Sequence, residues 1–228
     1  MMTAVKDLYD KIVDCPVCDE QFTTKKVRTS RLRLVKRDED FLNHYKTENP
    51  IKYHIFVCPN CGYASWENKF DSIRKNQVKT IKDKVSSKWN KRDFGGERDL
   101  DKAIEAYKLA LLVGMLLETT KFELGNTCLN IGWLYRLKGE EDEEIRFLTL
   151  ARDRFIEAFN TESLTGVNMD ESKLSYLIGE LSRRINDKEK ALSWFNTCLN
   201  LPSTRMNPAI DDLAREQWRI AKEMGNNG

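Results

Sequence analysis

The sequence predicts an α+β protein in which a small cysteine-rich β module precedes an all-α helical domain. Three observations carry this prediction. Two Cys-x-x-Cys pairs begin at Cys15 and Cys58. Residues 25–37 and 51–57 have the apolar content of strands. From about Asp99 onward, apolar residues recur at helical spacing, and proline is absent until Pro202.

Charge and composition divide the chain into three predicted segments: a ribbon-like module at residues 1–68, a basic helical junction at 69–98 and a helical domain at 99–228. Residues 1–98 carry 21 Lys or Arg against 14 Asp or Glu, whereas residues 99–228 carry 17 against 22. The basic first part permits contact with an anionic partner without requiring a nucleic acid.

Composition also indicates the class of protein. A chain that is 40% hydrophobic and 32% charged is typical of soluble globular proteins. No stretch reaches the roughly 20 apolar residues that cross a bilayer, and the N-terminus carries charges where a signal peptide needs an apolar core. We therefore predict a cytoplasmic protein without a membrane span.

The four paired cysteines, Cys15, Cys18, Cys58 and Cys61, are the predicted metal ligands. Two intervening residues let both sulfurs of a pair face one point, and Gly62 supplies a positive φ after the second pair. Zinc accepts four thiolates in a closed tetrahedron at about 2.3 Å, which leaves no position for a substrate. The sequence thus predicts one structural zinc ion.

Other uses of these cysteines stay open. A redox pair of the thioredoxin kind needs one Cys-x-x-Cys in a βαβ setting, and disulfides are disfavoured in a reducing compartment. An iron–sulfur cluster uses four cysteines too, although in more closely spaced runs. His44 and His54 are further candidate ligands, but we expect His54 to lie on the surface of the second strand.

A basic run joins the two cysteine pairs, within an expected antiparallel excursion of the chain. Residues 22–37 contain seven Lys or Arg and no acidic residue, which fits either a solvated strand face or an anion-binding patch. The candidate anion-binding residues are Lys25, Lys26, Arg28, Arg31, Arg33, Lys36 and Arg37. From Lys25 to Arg37 this run has no aromatic residue that could stack on nucleic-acid bases.

Helical periodicity continues from the junction to the C-terminus. In the junction, apolar residues from Phe70 to Trp89 have approximate helical spacing among many lysines, which predicts a basic amphipathic helix. Asp99 or Asp101 is placed to cap the next helix. The predicted helices lie near residues 99–119, 121–138, 140–160, 170–186, 188–201 and 207–224.

One pattern of residue spacing occurs twice in the helical region. The small–aromatic–small spacing of Ala103, Tyr107 and Ala110 recurs 88 residues later at Ala191, Phe195 and Cys198. Together with Gly132, Tyr135 and Gly139, the second set resembles the signature of tetratricopeptide repeats. Glu144 departs from that signature where a small residue is expected, so an irregular helical bundle stays open.

The repeat resemblance implies a protein-binding groove. By position, its residues are Asn126, Leu129, Trp133, Arg136, Lys173, Tyr176, Arg183 and Arg184. These residues suit an acidic peptide or a terminal carboxylate, but they are equally explained as ordinary surface or as residues covered by the protein's own helices. We predict a non-catalytic interaction protein, with a nucleic-acid-binding or regulatory protein as the alternative. The sequence has none of the glycine-rich phosphate loops or nucleophile elbows of enzymes.

A more specific resemblance involves nearly the whole chain. The runs CPVCDEQFTTKKVRTSRLRLVKRDEDF and YKTENPIKYHIFVCPNCGYA resemble the uncharacterised bacterial family called domain of unknown function 2225, which also continues into a tetratricopeptide-like region. The resemblance implies a bacterial cytoplasmic protein in which both cysteine pairs belong to the family pattern. It implies no activity.

Overall fold

The β region consists of short antiparallel strand pairs. The computed structural model describes residues 7–165 and 169–225. Within them, the strands are β1 (Leu8–Asp14), β2 (Gln21–Val27), β3 (Leu34–Arg37), β4 (Asn43–Tyr45), β5 (Ile55–Val57) and β6 (Ala64–Trp66). They form three separate two-stranded sheets, β1 with β2, β3 with β4 and β5 with β6.

The rest of the described chain is mostly helical. The helices are α1 (Lys75–Lys84), α2 (Leu100–Leu116), α3 (Lys121–Lys138), α4 (Glu141–Thr161), α5 (Glu171–Arg184), α6 (Lys188–Asn200), α7 (Pro202–Arg205) and α8 (Pro208–Glu223). No helix of the described residues combines the length and the apolar character that crossing a membrane requires.

The chain packs as two compact units. The metal unit comprises the described residues up to Arg37, Asn43–Thr119 and Trp133–Glu140. The helical unit comprises Asp38–Leu42, Thr120–Gly132 and the described residues from Glu141 onward. The predicted boundaries after residues 68 and 98 stay a prediction, because compact packing units and independently folding domains need not coincide.

The predicted fold class is confirmed: antiparallel strand pairs precede a mostly helical region. All six predicted helices are present, each with ends within three residues of the prediction. Aspartates cap the N-termini of three of these helices. The side chains of Asp99, Asp170 and Asp187 each accept a hydrogen bond from the backbone N–H group three residues later. The predicted junction helix is shorter than expected, because only Lys75–Lys84 is α-helical and 3₁₀ turns at Glu67–Ser72 and Ser86–Lys88 flank it. The short helix α7 was not predicted.

The two predicted strands of the module were wrong in extent. Residues 25–37 are not one strand, because a 3₁₀ turn at Thr29–Arg31 separates β2 from β3. Residues 51–57 begin with a 3₁₀ turn at Pro50–Tyr53, and only Ile55–Val57 is strand. The Asn49 side chain accepts a hydrogen bond from the backbone of Ile51 at 3.1 Å and so caps this turn.

His54 lies at the end of that turn and not on a strand surface, which corrects the prediction. Its ring stacks on Trp66 at a centroid distance of 6.0 Å, and its Nδ1 lies 3.4 Å from the hydroxyl of Tyr107. Burial lowers the pKa of His54 to about 4. The imidazole is therefore neutral at pH 7, and the half-buried ring packs against Trp66 and Tyr107.

The buried side chain of Arg98 connects segments of the metal unit that are distant in sequence. The side chain is only 2% exposed, and its guanidinium donates hydrogen bonds to the backbone carbonyls of Phe94, Lys52 and Ile55 at 3.0, 3.2 and 2.8 Å. Burial lowers the pKa of Arg98 to about 10, so the group stays charged at neutral pH. Because these carbonyls belong to segments distant in sequence, this one side chain connects the segment between α1 and α2 to the start of β5.

Glycines set the helix spacing in the helical unit. A Cβ placed at Gly179 of α5 would lie 2.7 Å from the ring of Phe195 on α6, and one at Gly132 of α3 would lie 2.8 Å from Leu148 on α4. A Cβ placed at Gly125 of α3 would likewise lie 2.7 Å from the ring of Phe155 on α4. The paired helices therefore approach closely at Gly132 and Gly179, and large side chains of the partner helices fill the space beside each glycine.

We expect Gly179→Ala to destabilise the helical unit by about 1–3 kcal/mol, since the added methyl group overlaps Phe195 in a close-packed core. Urea unfolding followed by helical circular dichroism measures the change. Gly96→Ala is the control, because nothing lies within 4 Å of a Cβ at that position. Equal stability of the two variants would contradict the packing argument.

Candidate metal centre

The two cysteine pairs lie at the tips of two β-hairpins. Cys15 and Cys18 are in the turn between β1 and β2, and Cys58 and Cys61 are in the turn between β5 and β6. The paired strands bring both ends of each turn together, so each pair of thiols is fixed in a tight loop that we call a knuckle.

The two knuckles share one backbone geometry. The residue after each second cysteine has a positive φ, 60° at Asp19 and 74° at Gly62. Its N–H donates to the carbonyl of the first cysteine, at 2.9 Å for Cys15 and 3.0 Å for Cys58. The first cysteine in turn donates its own N–H to the carbonyl five residues later, at 2.9 Å in both knuckles. The sequence indicated the role of Gly62 but not the equivalent conformation of Asp19.

The four sulfurs converge on one point. All four Sγ atoms lie within 4.8 Å of one another, and the Cys15–Cys61 and Cys18–Cys58 distances are both 3.6 Å. Sulfurs at about 2.3 Å from a central ion in a tetrahedron are separated by about 3.8 Å. The thiols are therefore spaced to hold a single metal ion, and the predicted set of four ligands is brought together.

Burial and charge favour a cation in this position. Cys15, Cys58 and Cys61 are at most 4% exposed. Hydrogen bonds from Cys15 and Cys61 lower the pKa of the Cys58 thiol, whereas the hydrogen bond to Cys58 raises the pKa of Cys15. One thiolate thus suppresses ionisation of its neighbours. Four thiolates at this spacing require a cation to offset their repulsion.

Trp89 covers the second knuckle. Its indole Nε1 donates to the carbonyl of Pro59 at 2.9 Å, and a Cβ at Gly62 would lie 2.5 Å from its ring. The guanidinium of Arg92 lies 4.4 Å from the centre of the same ring. The sequence placed Trp89 only on the apolar side of the junction, so this covering role was missed.

The family model described as "Uncharacterized protein conserved in bacteria (DUF2225)" matches residues 8–221. The chain belongs to this family. An uncharacterised protein of Borreliella burgdorferi is 29% identical over 115 residues, which is 44% of this chain and 41% of that protein. No solved structure matches the chain. The resemblance stated from the sequence is therefore confirmed, and the relatives add no activity.

The structure corrects two of the predicted partner-binding residues. Leu129 is 1% exposed and Tyr176 is fully buried, because both belong to helix faces that pack in the helical core, so neither is available to a partner. The rest of the predicted set, Asn126, Trp133, Arg136, Lys173, Arg183 and Arg184, is half-buried. Partner binding by these residues stays a prediction.

An acidic turn of the chain occupies part of the predicted set. Tyr176 donates its hydroxyl to the carbonyl of Glu39 at 2.9 Å, and its ring packs on Phe41 at a centroid distance of 5.5 Å. Arg184 pairs with the carboxylates of Glu39 at 3.0 Å and of the fully buried Asp40 at 3.6 Å. These five residues all belong to the helical unit.

Sequence reasoning missed this acidic turn. The run Asp38-Glu39-Asp40-Phe41 was available as a signal, but its position between β3 and β4 gave no reason to assign it to the helices. Phe41 has a φ of 74°, which an aromatic residue rarely adopts because it is sterically strained. The packing of its ring on Tyr176 offsets the free-energy cost of this backbone conformation.

The seven predicted anion-binding residues differ in what their side chains contact within the chain. Three of them form ion pairs within the metal unit: Lys25 with Asp10 at 2.7 Å, Lys26 with Glu67 at 2.5 Å and Arg31 with Asp7 at 3.4 Å. Arg28, Arg33 and Arg37 contact neutral groups instead, and Lys36 has an interaction within the chain. Anion binding by these residues stays a prediction.

We expect Gly62→Ala to destabilise the metal unit by about 2 kcal/mol or more. Alanine is disfavoured at this positive φ, and its methyl group would overlap the Trp89 ring. Thermal unfolding and chelator competition measure the effect.

Asp19→Gly is the matched control at the same position of the other knuckle. Glycine adopts a positive φ without steric cost, so this variant should be as stable as the parent chain or slightly more stable. If Gly62→Ala were as stable as Asp19→Gly, the second knuckle would not depend on this conformation.

Proposed function

We propose that the four cysteines bind one zinc ion with a structural role. The 3.6 Å separations, the burial of three ligands and the positions at two hairpin tips support this proposal. A closed set of four thiolates leaves no coordination position for a substrate, as is usual for structural zinc. Iron is the other metal that accepts four tetrahedral thiolates, so metal analysis must decide between the two.

We further propose that the chain is a non-catalytic bacterial protein that binds a protein or peptide partner through its helical unit. One observation carries this proposal: Tyr176 and Arg184 of α5 hold an acidic, aromatic segment of the same chain, and Lys173 of the same helix lies half-buried outside that contact. The glycines that set the α3–α4 and α5–α6 spacing support tetratricopeptide-like pairs. A helical unit with this chemistry suits an acidic segment of a partner.

The alternative proposal is a nucleic-acid-binding or regulatory protein. It would use the basic run of the metal unit, where Arg28, Arg33 and Arg37 contact neutral groups. Phosphate contacts of this kind weaken steeply with salt. The absence of aromatic residues from residues 23–37 gives bases no stacking surface, so we rank this alternative second. A cytoplasmic location stays a prediction.

Elemental analysis of protein purified without chelators tests the metal proposal. We expect one zinc per chain, and Cys58→Ser should lose the metal and the protease resistance of the metal unit while most helical circular dichroism remains. Cys128→Ser is the control, because Cys128 is buried outside the cluster. Iron in place of zinc, or full metal content in Cys58→Ser, would contradict the proposal.

A charge reversal on α5 tests the partner proposal. We expect Lys173→Glu to reduce recovery of a co-purifying protein partner by about tenfold, because like charges across an interface oppose binding. Mass spectrometry of proteins cross-linked in the native cells measures the recovery.

Lys190→Glu is the matched control. Both lysines lie three residues after a capping aspartate, on α5 and α6 respectively, and both pair with that aspartate, at 4.0 and 3.1 Å. Only Lys173 belongs to the predicted groove. Equal recovery from the two variants, or no recurring partner from the parent chain, would contradict binding through this face.

A further inference from the structure

The segment from Arg28 to Arg37, which we call the basic strip, presents cations whose charge the protein does not neutralise. The guanidinium of Arg28 lies 5.0 Å from the ring centre of Tyr9. Arg33 donates to the backbone carbonyl of Leu32 at 3.0 Å, and Arg37 donates to the amide oxygen of Asn43 at 2.7 Å. Within the described residues, these three guanidinium groups contact neutral groups alone, so an anion outside the chain would complete their charge pairing.

Two aliphatic side chains lie in the middle of the same strip. Leu34 is 55% exposed and Val35 is 66% exposed, and all four residues of β3 are exposed to solvent. An anionic partner made only of phosphate groups offers these side chains no apolar contact. The partner therefore combines anionic groups with an apolar phase immediately behind them.

The strip is poorly suited to pairing with a strand of another protein. The register between β3 and β4 shifts between Leu34 and Lys36, and such a bulge twists an edge away from further pairing. Basic side chains on an edge strand oppose strand addition as well. An extended acidic peptide is thus a weaker match than a smooth anionic surface.

A shallow pocket adjoins the N-terminal end of the strip. It has a volume of about 310 Å³ and is lined by Tyr9, Lys26, Val27, Arg28, Thr29 and Ser30. Its lining includes three side chains with hydroxyl groups, Tyr9, Thr29 and Ser30, and two cationic side chains, Lys26 and Arg28. Hydroxyl and cationic groups donate the hydrogen bonds that phosphate oxygens accept. The pocket lies in the same short segment as the unneutralised Arg28.

We propose that the basic strip docks the protein on an anionic phospholipid surface. Leu34 and Val35 enter the interfacial region of the bilayer, where apolar side chains leave water. Arg28, Arg33 and Arg37 contact lipid phosphates, and the pocket beside Arg28 accepts one headgroup phosphate. This inference goes beyond the proposed function, because it uses the metal unit and does not depend on a protein partner of the helical unit.

Co-sedimentation of the full metal-loaded chain with phosphatidylglycerol-containing vesicles tests the proposal. We expect binding that weakens with salt, and little binding to vesicles of phosphatidylcholine alone. Arg33→Gln combined with Arg37→Gln should lower the partition coefficient by about thirtyfold, since each cation near an anionic surface contributes roughly fivefold. Leu34→Ser combined with Val35→Ser should lower it by about tenfold.

Lys75→Gln combined with Lys79→Gln is the matched control, because it removes the same charge from two exposed residues of α1 in the same unit. This pair should change the partition coefficient by less than about threefold. Metal content and helical circular dichroism should be unchanged in all variants, since the substituted side chains are exposed.

Three results would overturn the proposal. One is no binding to the phosphatidylglycerol vesicles at low salt. Another is an equal loss in the control pair, which would indicate general charge attraction. The third is binding to a short DNA duplex or to RNA that requires Arg33 and Arg37 but not Leu34 and Val35, which would assign the strip to nucleic-acid phosphates.

Discussion

The convergence of four thiols is the constraint on which the metal unit depends. Its strands form three separate two-stranded sheets, and isolated hairpins of this size are marginal in water. The two knuckles are distant in sequence, yet their sulfurs lie within 4.8 Å of one another. A bound ion would make that proximity favourable, because metal binding adds free energy on the order of 10 kcal/mol to the folding of small modules.

Arg98 provides a second constraint on the metal unit, and most of its hydrogen bonds go to backbone carbonyls. Its guanidinium donates to the carbonyl of Lys52, in the 3₁₀ turn before β5, and to that of Ile55, the first residue of β5, which leads into the second knuckle. Removing the side chain would leave buried acceptors without donors, at a cost of about 1–3 kcal/mol each. The position of the second knuckle thus rests on a buried cation as well as on the thiols.

Much of this architecture could be predicted from the sequence, because the relevant signals are local. Cysteine spacing identified all four converging thiols, and helical periodicity with Asp99 as a cap located the helices. The errors involve interactions between distant residues. Nothing near His54 indicates that Tyr107 and Trp66 surround it, and nothing near residues 38–42 indicates that α5 holds them.

Arg184 and Arg33 show how contacts between distant residues change which cations are available to bind an anion. The sequence predicted a binding groove that includes Arg184 and a basic run that includes Arg33. It gave no basis for deciding which of the two arginines is more available to an anion. In the folded chain, Arg184 is paired with Glu39, Asp40 and Glu180, whereas Arg33 donates only to backbone carbonyls. A guanidinium already paired with carboxylates gains little from a further anion, while an exposed one without such a pair gains more. Charge pairing within the fold, and not the number of cations in a segment, therefore decides which surface attracts an anionic partner.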